Sequence, residues 1–308
     1  MMPDITANRP AFESLMQRSN VKGLMQLAGH SAVLATTALM VSATRDTFWL
    51  LPALLLHGVA LVFLFAALHE SIHRTAFASR RLNDAVAWVC GALLVLPPRY
   101  FRAYHMAHHR FTQQPERDPE LAVPKPATLG AYLWYVSGLP YWAERLRTTL
   151  RHALGLVPEP FVSRHLRPEV VREARVLLTV YALVALVSIH LHSAAAIWYW
   201  VVPTVLGQPV LRLFLLAEHA GCLQVSDMLQ NSRTTRSIWP LRQLAWNMPY
   251  HAEHHACPAL PFHALPKAHT LVSHAITIQA AGYLAVHREI LQRLLKDRPG
   301  GKISASGL

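Results

Sequence analysis

The chain has 308 residues, of which 53% are hydrophobic and only 15% are charged, and its formal net charge is +12. A mean hydropathy of +0.23 is too apolar for an ordinary soluble enzyme and indicates an integral membrane protein. The basic residues form no compact module with interleaved aromatic residues, so we expect them to contact anionic membrane lipids and to bind no nucleic acid.

Four segments are long enough to cross a bilayer as helices, because about 20 residues at 1.5 Å each cover about 30 Å of hydrocarbon. They are Gly23–Ala43, Phe48–Leu68, Ala174–His190 and Ala194–Ala217. The polar connections within the first pair and within the last pair are very short, so each pair is expected to form a hairpin. The sequence therefore predicts an all-α integral membrane protein with four transmembrane helices in two hairpins and a cytoplasmic helical cap.

Basic residues set the expected orientation of these helices. Of the 29 Lys and Arg, three precede the first span, 14 lie in residues 69–173 and nine follow Glu218, whereas only Arg45 lies in a connection on the opposite side. Because Lys and Arg accumulate in cytoplasmic loops, we expect both termini and the large loops to be cytoplasmic. This orientation predicts a multi-pass protein of a bacterial inner membrane.

The remaining segments complete the predicted organisation. Residues 1–22 are expected to form a cytoplasmic leader, residues 23–296 a single membrane-embedded domain and residues 297–308 a flexible Gly/Ser-rich tail. Ala85–Leu96 and Leu129–Trp142 are apolar but too short to span, which predicts re-entrant or interfacial helices. The stretch 270–295 is more mixed in polarity and is expected at the surface or beneath the catalytic region.

The fourth span carries residues that are unusual in a membrane helix. Pro203, Gly207 and Pro209 are expected to break or kink it. Arg212 is costly in lipid and is therefore expected to face the protein interior, toward Glu218.

Three histidine clusters lie at the water-side edges of apolar segments. We call them box 1 (His69 and His73), box 2 (His105, His108 and His109) and box 3 (His251, His254 and His255). Isolated H-x-x-x-H is expected by chance in a chain with 19 histidines, but two copies of H-x-x-H-H are not. A ninth histidine, His219, directly follows the fourth span and lies at the same predicted membrane face.

The spacing within the boxes predicts metal binding. Residues three and four apart lie on one helix face, so His69/His73, His105/His108 and His251/His254 are pairs that can converge on one ion. Adjacent histidines point about 100° apart and can serve two ions. Imidazole alone does not choose among Zn, Cu, Fe and Ni, but eight imidazoles exceed the needs of one tetrahedral zinc. The sequence therefore predicts two metal ions.

The three boxes, in this order and topology, resemble those of the membrane fatty acid desaturase superfamily, whose relatives include hydroxylases, ketolases and alkane monooxygenases. The matching motifs are His69-Glu70-Ser71-Ile72-His73, His105-Met106-Ala107-His108-His109 and Asn247-Met248-Pro249-Tyr250-His251-Ala252-Glu253-His254-His255. Glu218-His219 looks like the isolated ligand between the second and third boxes of alkane hydroxylases.

The resemblance implies two non-haem irons, O₂ as co-substrate and attack on an unactivated C–H bond of a fatty acyl or lipid-like molecule. Loss of a second hydrogen gives an alkene, and oxygen rebound gives an alcohol, so hydroxylation of a lipid, a terpenoid or a small metabolite is the alternative. No catalytic residue beyond the metal centre is implied. No haem-binding domain, flavin fingerprint or ferredoxin-like Cys set is visible in the sequence, so electrons are expected from a separate ferredoxin or small cytochrome with its reductase.

Carboxylates are expected to orient the imidazoles by accepting a hydrogen bond from the ring nitrogen that does not face the metal. The candidates are Glu70, Asp84, Asp118, Glu218, Asp227 and Glu253. The loop 261–269 is expected to shape the floor of the site, and its two histidines, His263 and His269, receive no role.

Two readings from other classes also fit parts of the sequence. Box 1 is literally H-E-x-x-H, in which His69 and His73 would bind zinc and Glu70 would act as the general base of an intramembrane protease. Such a protease would need a further acidic ligand, typically before a glycine, and the sequence contains no Asp-Gly. The histidines could also form the binding patch of a metal transporter or sensor, but transport would need ionisable residues at mid-membrane depth, where the spans are nearly clear apart from His30, His57 and Arg212.

Overall fold

The computed structural model describes residues 9–296 and is predominantly helical. Its α-helices are, in chain order, α1 (Arg9–Leu15), α2 (Asn20–Ala43), α3 (Leu50–Val62), α4 (Leu64–His73), α5 (Arg80–Leu93), α6 (Pro98–Phe111), α7 (Leu129–Val136), α8 (Leu139–Ala153), α9 (Arg167–His190), α10 (Val202–His219), α11 (Met228–Asn231), α12 (Trp239–Leu244), α13 (His251–Ala256), α14 (Leu265–Val272) and α15 (Tyr283–Lys296). Short 3₁₀ turns cover Pro119–Ala122 and Phe262–Ala264, and a π-helical turn over Ile197–Val201 leads into α10. Two short parallel strands, β1 (Thr234–Thr235) and β2 (Gln279–Ala280), pair with each other.

Three helical runs are long and apolar enough to cross a membrane: Asn20–Ala43, Leu50–His73 and Ile197–His219. They cover the first, second and fourth predicted spans, and the second run includes box 1 at its end. The third predicted span lies within α9, which is 24 residues long but is not one of these three. The structure thus supports a membrane protein, while the count of four spans stays a prediction.

The second and third of these runs approach each other closely at a pair of glycines. A Cβ added at Gly207 in α10 would lie 2.2 Å from the carbonyl carbon of Gly58 in α3, and a Cβ added at Gly58 would lie 2.0 Å from the carbonyl oxygen of Pro203. Small residues at such crossings allow the backbones of membrane helices to touch. Both runs continue from this crossing to histidines at their ends, so the contact fixes the position of one run relative to the other.

The predicted break in the fourth span is wrong, because α10 is helical from Val202 through Pro209 to His219, while the predicted kink stays a prediction. Pro203 lies in the first turn of α10, where its missing N–H costs little. Gly207 serves the close helix crossing instead of a break.

The two short apolar segments also differ from their predicted bounds. Helix α5 begins at Arg80, five residues before the predicted segment, because Ser79 caps it by accepting a hydrogen bond from the Leu82 N–H. The segment 129–142 is divided into α7 and α8 at Gly138, whose φ of 75° ends the first helix. The predicted tail, residues 297–308, lies outside the described residues, as do the first eight residues of the predicted leader.

Two apolar clusters hold the shorter helices against the long helices. One joins α3 and α10 to α13 and α14 and includes Phe63, Phe214, Leu260 and Leu265. The other joins α4, α5 and α6 around the fully buried Phe77 and Trp246. The histidine boxes lie where these two clusters meet.

Candidate metal centre

Helix ends bring the histidines together. His73 is the last residue of α4, His108 and His109 lie in the last turn of α6, and His219 is the last residue of α10. The carboxyl end of a helix carries partial negative charge, which favours a cation. Box 3 forms the short helix α13, beginning at His251. All nine histidines predicted from the sequence are brought to this place, and all nine are buried.

The ring nitrogens form two adjacent groups. The first group consists of His69, His73, His105, His109 and His254, and the second consists of His108, His219 and His255; within each group one nitrogen from every residue lies within 4.8 Å of the others. The imidazoles of His109 and His255 stack with centroids 4.1 Å apart, so the two groups share a wall.

His251 adjoins the second group. Its Nε2 is 2.9 Å from Nε2 of His219, and its ring centroid is 4.4 Å from that of His255. His251 therefore lies beside the second group and can act as its fourth imidazole.

The division between the groups differs from the pairs expected by spacing. His105 belongs with His109 and not with His108, and the ring centroids of the former pair are 4.5 Å apart against 5.7 Å for the latter. His251 likewise lies nearer to His255 than to His254, which belongs to the first group. On a helix, residues four apart differ by about 40° in direction and residues three apart by about 60°, so the i, i+4 partners converge. Adjacent histidines of boxes 2 and 3 fall in different groups, which suits the expectation that they serve two ions.

The distances between ring nitrogens suit a shared ion. Nε2 of His109 is 3.0 Å from Nε2 of His105 and 3.1 Å from Nε2 of His254. Nε2 of His108 is 3.2 Å from Nε2 of His219. Metal–imidazole bonds of about 2.0–2.1 Å that meet at a right angle or wider place two nitrogens about 3 Å apart or slightly more. Buried nitrogens without a hydrogen-bond partner, such as Nε2 of His73 and of His255, are also explained if they bind a metal.

The other ring nitrogen of each histidine in the second group faces an oxygen. Nδ1 of His108 lies 2.9 Å from Asp118 Oδ1, Nδ1 of His219 lies 3.2 Å from the carbonyl oxygen of Asn231, and Nδ1 of His255 lies 3.2 Å from Thr112 Oγ1. Donation from Nδ1–H to these oxygens leaves the Nε2 lone pair for a metal. The residues present therefore fit a two-metal centre.

Burial favours the neutral imidazoles that metal binding requires. It lowers the pKa of His105, His109 and His254 well below the usual value of 6.5, and neighbouring histidines lower it further. His108 is different: burial lowers its pKa, but the nearby carboxylates of Glu120 and Asp118 outweigh this and leave it raised.

Of the six carboxylates predicted to orient imidazoles, three lie beside a box histidine. Asp118 faces His108 as described, Glu218 Oε1 is 3.4 Å from Nδ1 of His251, and Glu70 Oε1 is 3.9 Å from Nδ1 of His69.

Glu70 is held mainly by other groups, since its Oε2 accepts hydrogen bonds from Thr75 Oγ1 at 2.8 Å and from the Phe262 N–H at 3.1 Å. The Glu70 carboxylate therefore links box 1 to the loop after box 3 through hydrogen bonds. This structural role differs from that of the general base in the protease interpretation.

The other three candidates do not face the box histidines. Glu253 accepts hydrogen bonds from Thr234 Oγ1 and from Nδ1 of His269, which gives that loop histidine a structural partner. Asp84 pairs with Arg80 in an exposed i, i+4 contact, and Asp227 caps α11 by accepting from the Leu229 N–H. Asp84 follows box 1 in the sequence, but its side chain on α5 is exposed.

A cavity of about 250 Å³ opens beside the two groups. Its wall includes box histidines His69, His105, His108 and His251 together with His219. Much of the rest is apolar or aromatic, but several charged side chains line it as well, among them Arg212 as predicted. Within residues 9–296 no carboxylate pairs with Arg212 at 4.0 Å or less, so the expected contact with Glu218 is not formed.

Sequence reasoning missed several residues of the site. Glu120 lies 3.7 Å from Nδ1 of His108 and could have been suspected from its place two residues after Asp118. Thr112 and the carbonyl of Asn231 carry no sequence signal, because hydroxyl and backbone oxygens are found everywhere in a chain. Arg145 and Tyr141, on α8, also line the cavity and would not have been found from motif spacing.

Comparisons with known proteins agree with this geometry. The family model described as fatty acid desaturase matches residues 19–287. The chain is 26% identical to a sphingolipid delta(4)-desaturase of Drosophila melanogaster, over 77% of this chain and 71% of that protein. It is 28% identical to dihydrorhizobitoxine desaturase of Bradyrhizobium elkanii, over 89% of this chain and 80% of that protein. It is also 27% identical to a sphingolipid delta(4)-desaturase/C4-monooxygenase of Rattus norvegicus, over 65% of this chain and 58% of that protein.

Proposed function

Because the chain belongs to the fatty acid desaturase family, we propose that its buried histidine site holds two irons and uses O₂ to remove two hydrogens from a lipid-like substrate. The chain is an oxidoreductase of the membrane, and the observation that carries the proposal is the pair of adjacent imidazole groups beside a cavity. Irons of this kind supply the oxidising power to break an unactivated C–H bond when O₂ and electrons are provided.

The first group would hold one iron through His69, His73, His105, His109 and His254, and the second group with His251 would hold the other. The protein's own part is to keep these rings neutral and oriented. Asp118 orients the ring of His108, and the carbonyl of Asn231 orients the ring of His219. Burial disfavours the protonated form of an imidazole, which cannot bind a metal.

The cavity wall supports a substrate bound away from water. Phe63, Phe65, Phe101 and Phe214 line the cavity next to the histidines, and such a surface suits a hydrocarbon segment. Holding the chain against the metal side in one orientation selects which C–H bond reacts.

Hydroxylation at the same site is the alternative. The rat relative is named both a desaturase and a C4-monooxygenase, so one family member carries both outcomes in its name. The two reactions share the abstraction of the first hydrogen, and they diverge in whether a second hydrogen is lost or oxygen is transferred.

We also propose the topology expected from the sequence, with four spans, residues 23–296 as one membrane-embedded domain, and the site on the cytoplasmic side of a bacterial inner membrane. Leu183, Leu186 and Ile189 on α9 are more than half exposed, which suits a lipid-facing helix and supports α9 as the additional span. The basic cytoplasmic loops would suit an acidic electron donor, either a ferredoxin or a small cytochrome.

Product analysis tests the proposal. Cells that express the chain with a ferredoxin and its reductase are compared by mass spectrometry with cells that express His105→Ala. We expect a product lighter by two hydrogens in the first culture and its loss in the second, together with lower bound iron in the purified variant. His165→Ala, at an exposed histidine away from the boxes, is the matched control and should behave like the wild type. A product heavier by one oxygen would favour the alternative, and equal products from wild type and His105→Ala would refute both.

A further inference from the structure

The cavity beside the metal centre is not uniformly apolar. Three tyrosines, Tyr104, Tyr135 and Tyr141, line it. Seven charged residues outside the boxes line it as well: Asp118, Glu120, Lys125, Glu144, Arg145, Arg212 and Glu218. A cavity built only for a hydrocarbon would not need this polar wall, because each buried charge costs free energy unless it is paired.

Most of these charges have partners in the structure. Asp118 and Glu120 lie beside His108, and Glu218 lies beside His251. Lys125 Nζ donates to Gln113 Oε1 at 2.9 Å and to the His219 carbonyl at 3.0 Å. Glu144 accepts a hydrogen bond of 2.7 Å from Thr148 Oγ1.

Arg145 and Arg212 differ from the others. Within residues 9–296, neither guanidinium lies within 4.0 Å of a carboxylate, and the Nε atom of each is buried without a hydrogen-bond acceptor. Their neighbours are tyrosines: the Arg212 guanidinium is 4.5 Å from the Tyr141 ring centroid, and the Arg145 guanidinium is 5.8 Å from the same centroid. Two positive charges therefore flank one aromatic ring in the wall of the cavity.

Cation–π contacts hold the guanidiniums in place without neutralising them. Each guanidinium also has a second ring nearby: the Tyr100 centroid is 5.8 Å from the Arg145 guanidinium, and the Tyr135 centroid is 5.7 Å from the Arg212 guanidinium. Arginine stays protonated in proteins, so the pair keeps its positive charge at any working pH. Such a fixed pair of forks is shaped to receive two or more acceptor oxygens from a bound anion.

Their position relative to the histidines fits a substrate-binding role. Arg212 and His219 are seven residues apart on α10, which places them on the same face of the helix about 10 Å apart. A molecule whose anionic group contacts Arg212 would place carbon atoms a short distance along its chain beside the metal side of the cavity.

We propose that the substrate of this enzyme carries an anionic group, a carboxylate or a phosphate, and that Arg145 and Arg212 bind it. The inference rests on the proposed function, which supplies the reaction. It adds only the chemical class of substrate that the cavity binds. It distinguishes this chain's substrate from neutral lipids of similar length, which would leave these two half-buried guanidiniums without an anion.

Direct binding tests the proposal independently of turnover. Purified enzyme in lipid nanodiscs is titrated with decanoate, decyl phosphate and methyl decanoate, which share an alkyl chain and differ in charge. We expect at least one anion to bind roughly 10- to 100-fold more tightly than the ester, as for a charge-assisted hydrogen bond inside a protein. Preference for decanoate assigns a carboxylate, and preference for decyl phosphate assigns a phosphate.

Substitutions assign the effect to the two arginines. Arg145→Gln and Arg212→Gln should each remove most of the preference for the anion while leaving the affinity for methyl decanoate unchanged. Arg147→Gln, at an exposed arginine two residues along α8, is the matched control and should keep the preference. Arg145→Lys and Arg212→Lys keep the charge but lose the fork, so they should restore part of it. Bound iron equal to that of the wild type verifies that the variants fold.

The proposal is overturned if the wild type binds neither anion more tightly than the ester, or if the glutamine variants retain the preference. These outcomes are separate from failure of the desaturase reaction, which would appear as absent product while the binding preference persists.

Discussion

Substituting Gly207 by alanine tests whether the crossing of the long helices positions the metal centre. The new Cβ would lie 2.2 Å from the carbonyl carbon of Gly58, whereas ordinary contacts begin near 3.4 Å, so the two helices must separate by about 1.2 Å. Gly207 is 12 residues from His219 and Gly58 is 11 residues from His69, so both histidines lie about 16–18 Å from the crossing along their helices.

Such overpacking costs about 1–3 kcal/mol of stability. A displacement of about 1 Å at a reacting centre lowers turnover roughly 100-fold. We therefore expect Gly207→Ala to lower the Tm and to reduce product formation by about two orders of magnitude, a loss larger than the fraction of unfolded protein explains.

The assay combines thermal denaturation, bound iron and product formation in nanodiscs. Gly29→Ala is the matched control, because a Cβ there meets no atom within 4 Å and alanine favours a helix by up to about 1 kcal/mol. It should keep full activity and an equal or higher Tm. Wild-type turnover and iron content in Gly207→Ala would refute the idea that this contact sets the geometry of the site.

Three further outcomes follow from the contacts of the histidines. Asp118→Ala should weaken metal binding about 10- to 100-fold, because it releases the ring of His108. The control, Asp84→Ala at an exposed carboxylate, should leave metal affinity unchanged, and equal metal affinities of the two variants in a titration would contradict this assignment. His219→Ala should remove metal mainly from the second group, so bound iron should fall by about half and activity should be lost. Unchanged metal content would exclude His219 as a ligand. In the metal-free protein, burial holds the pKa of His105, His109 and His254 below 6.5, so at these sites the unfolded chain binds more protons. The Tm should therefore fall as the pH drops below about 6.5, and a Tm independent of pH from 7 to 5 would contradict this.

The sequence predicted the long helices and the nine histidines because both depend on local patterns. A run of apolar residues determines where a helix can cross lipid, and i, i+4 spacing places His69 and His73 on one face whatever surrounds them. Local i, i+4 geometry also accounts for the pairing of His105 with His109, but it does not determine which other helices complete each group, because that depends on tertiary packing.

The carboxylate contacts depended on loop geometry that the sequence does not reveal. Asp118 returns to His108 because the turn after α6 has a positive φ at Gln113, whose N–H donates to Asp118 Oδ2. Asp84 had a similar place in the sequence, but it lies on the outward face of its helix. The arginine pair was equally hidden, since the turn between α7 and α8 packs on α10 through Gly138 and Gln208, which belong to no motif.

The division of boxes 2 and 3 between two groups constrains how the protein can be made. The first group needs His254 and the second needs His219 and His255, so neither is complete until the ribosome has added residues near the end of the chain. A nascent chain whose first spans are already inserted offers only partial sets of imidazoles. A metal can therefore meet a full set of imidazoles only after box 3 has been synthesised, and truncation after residue 250 would leave both groups incomplete at once.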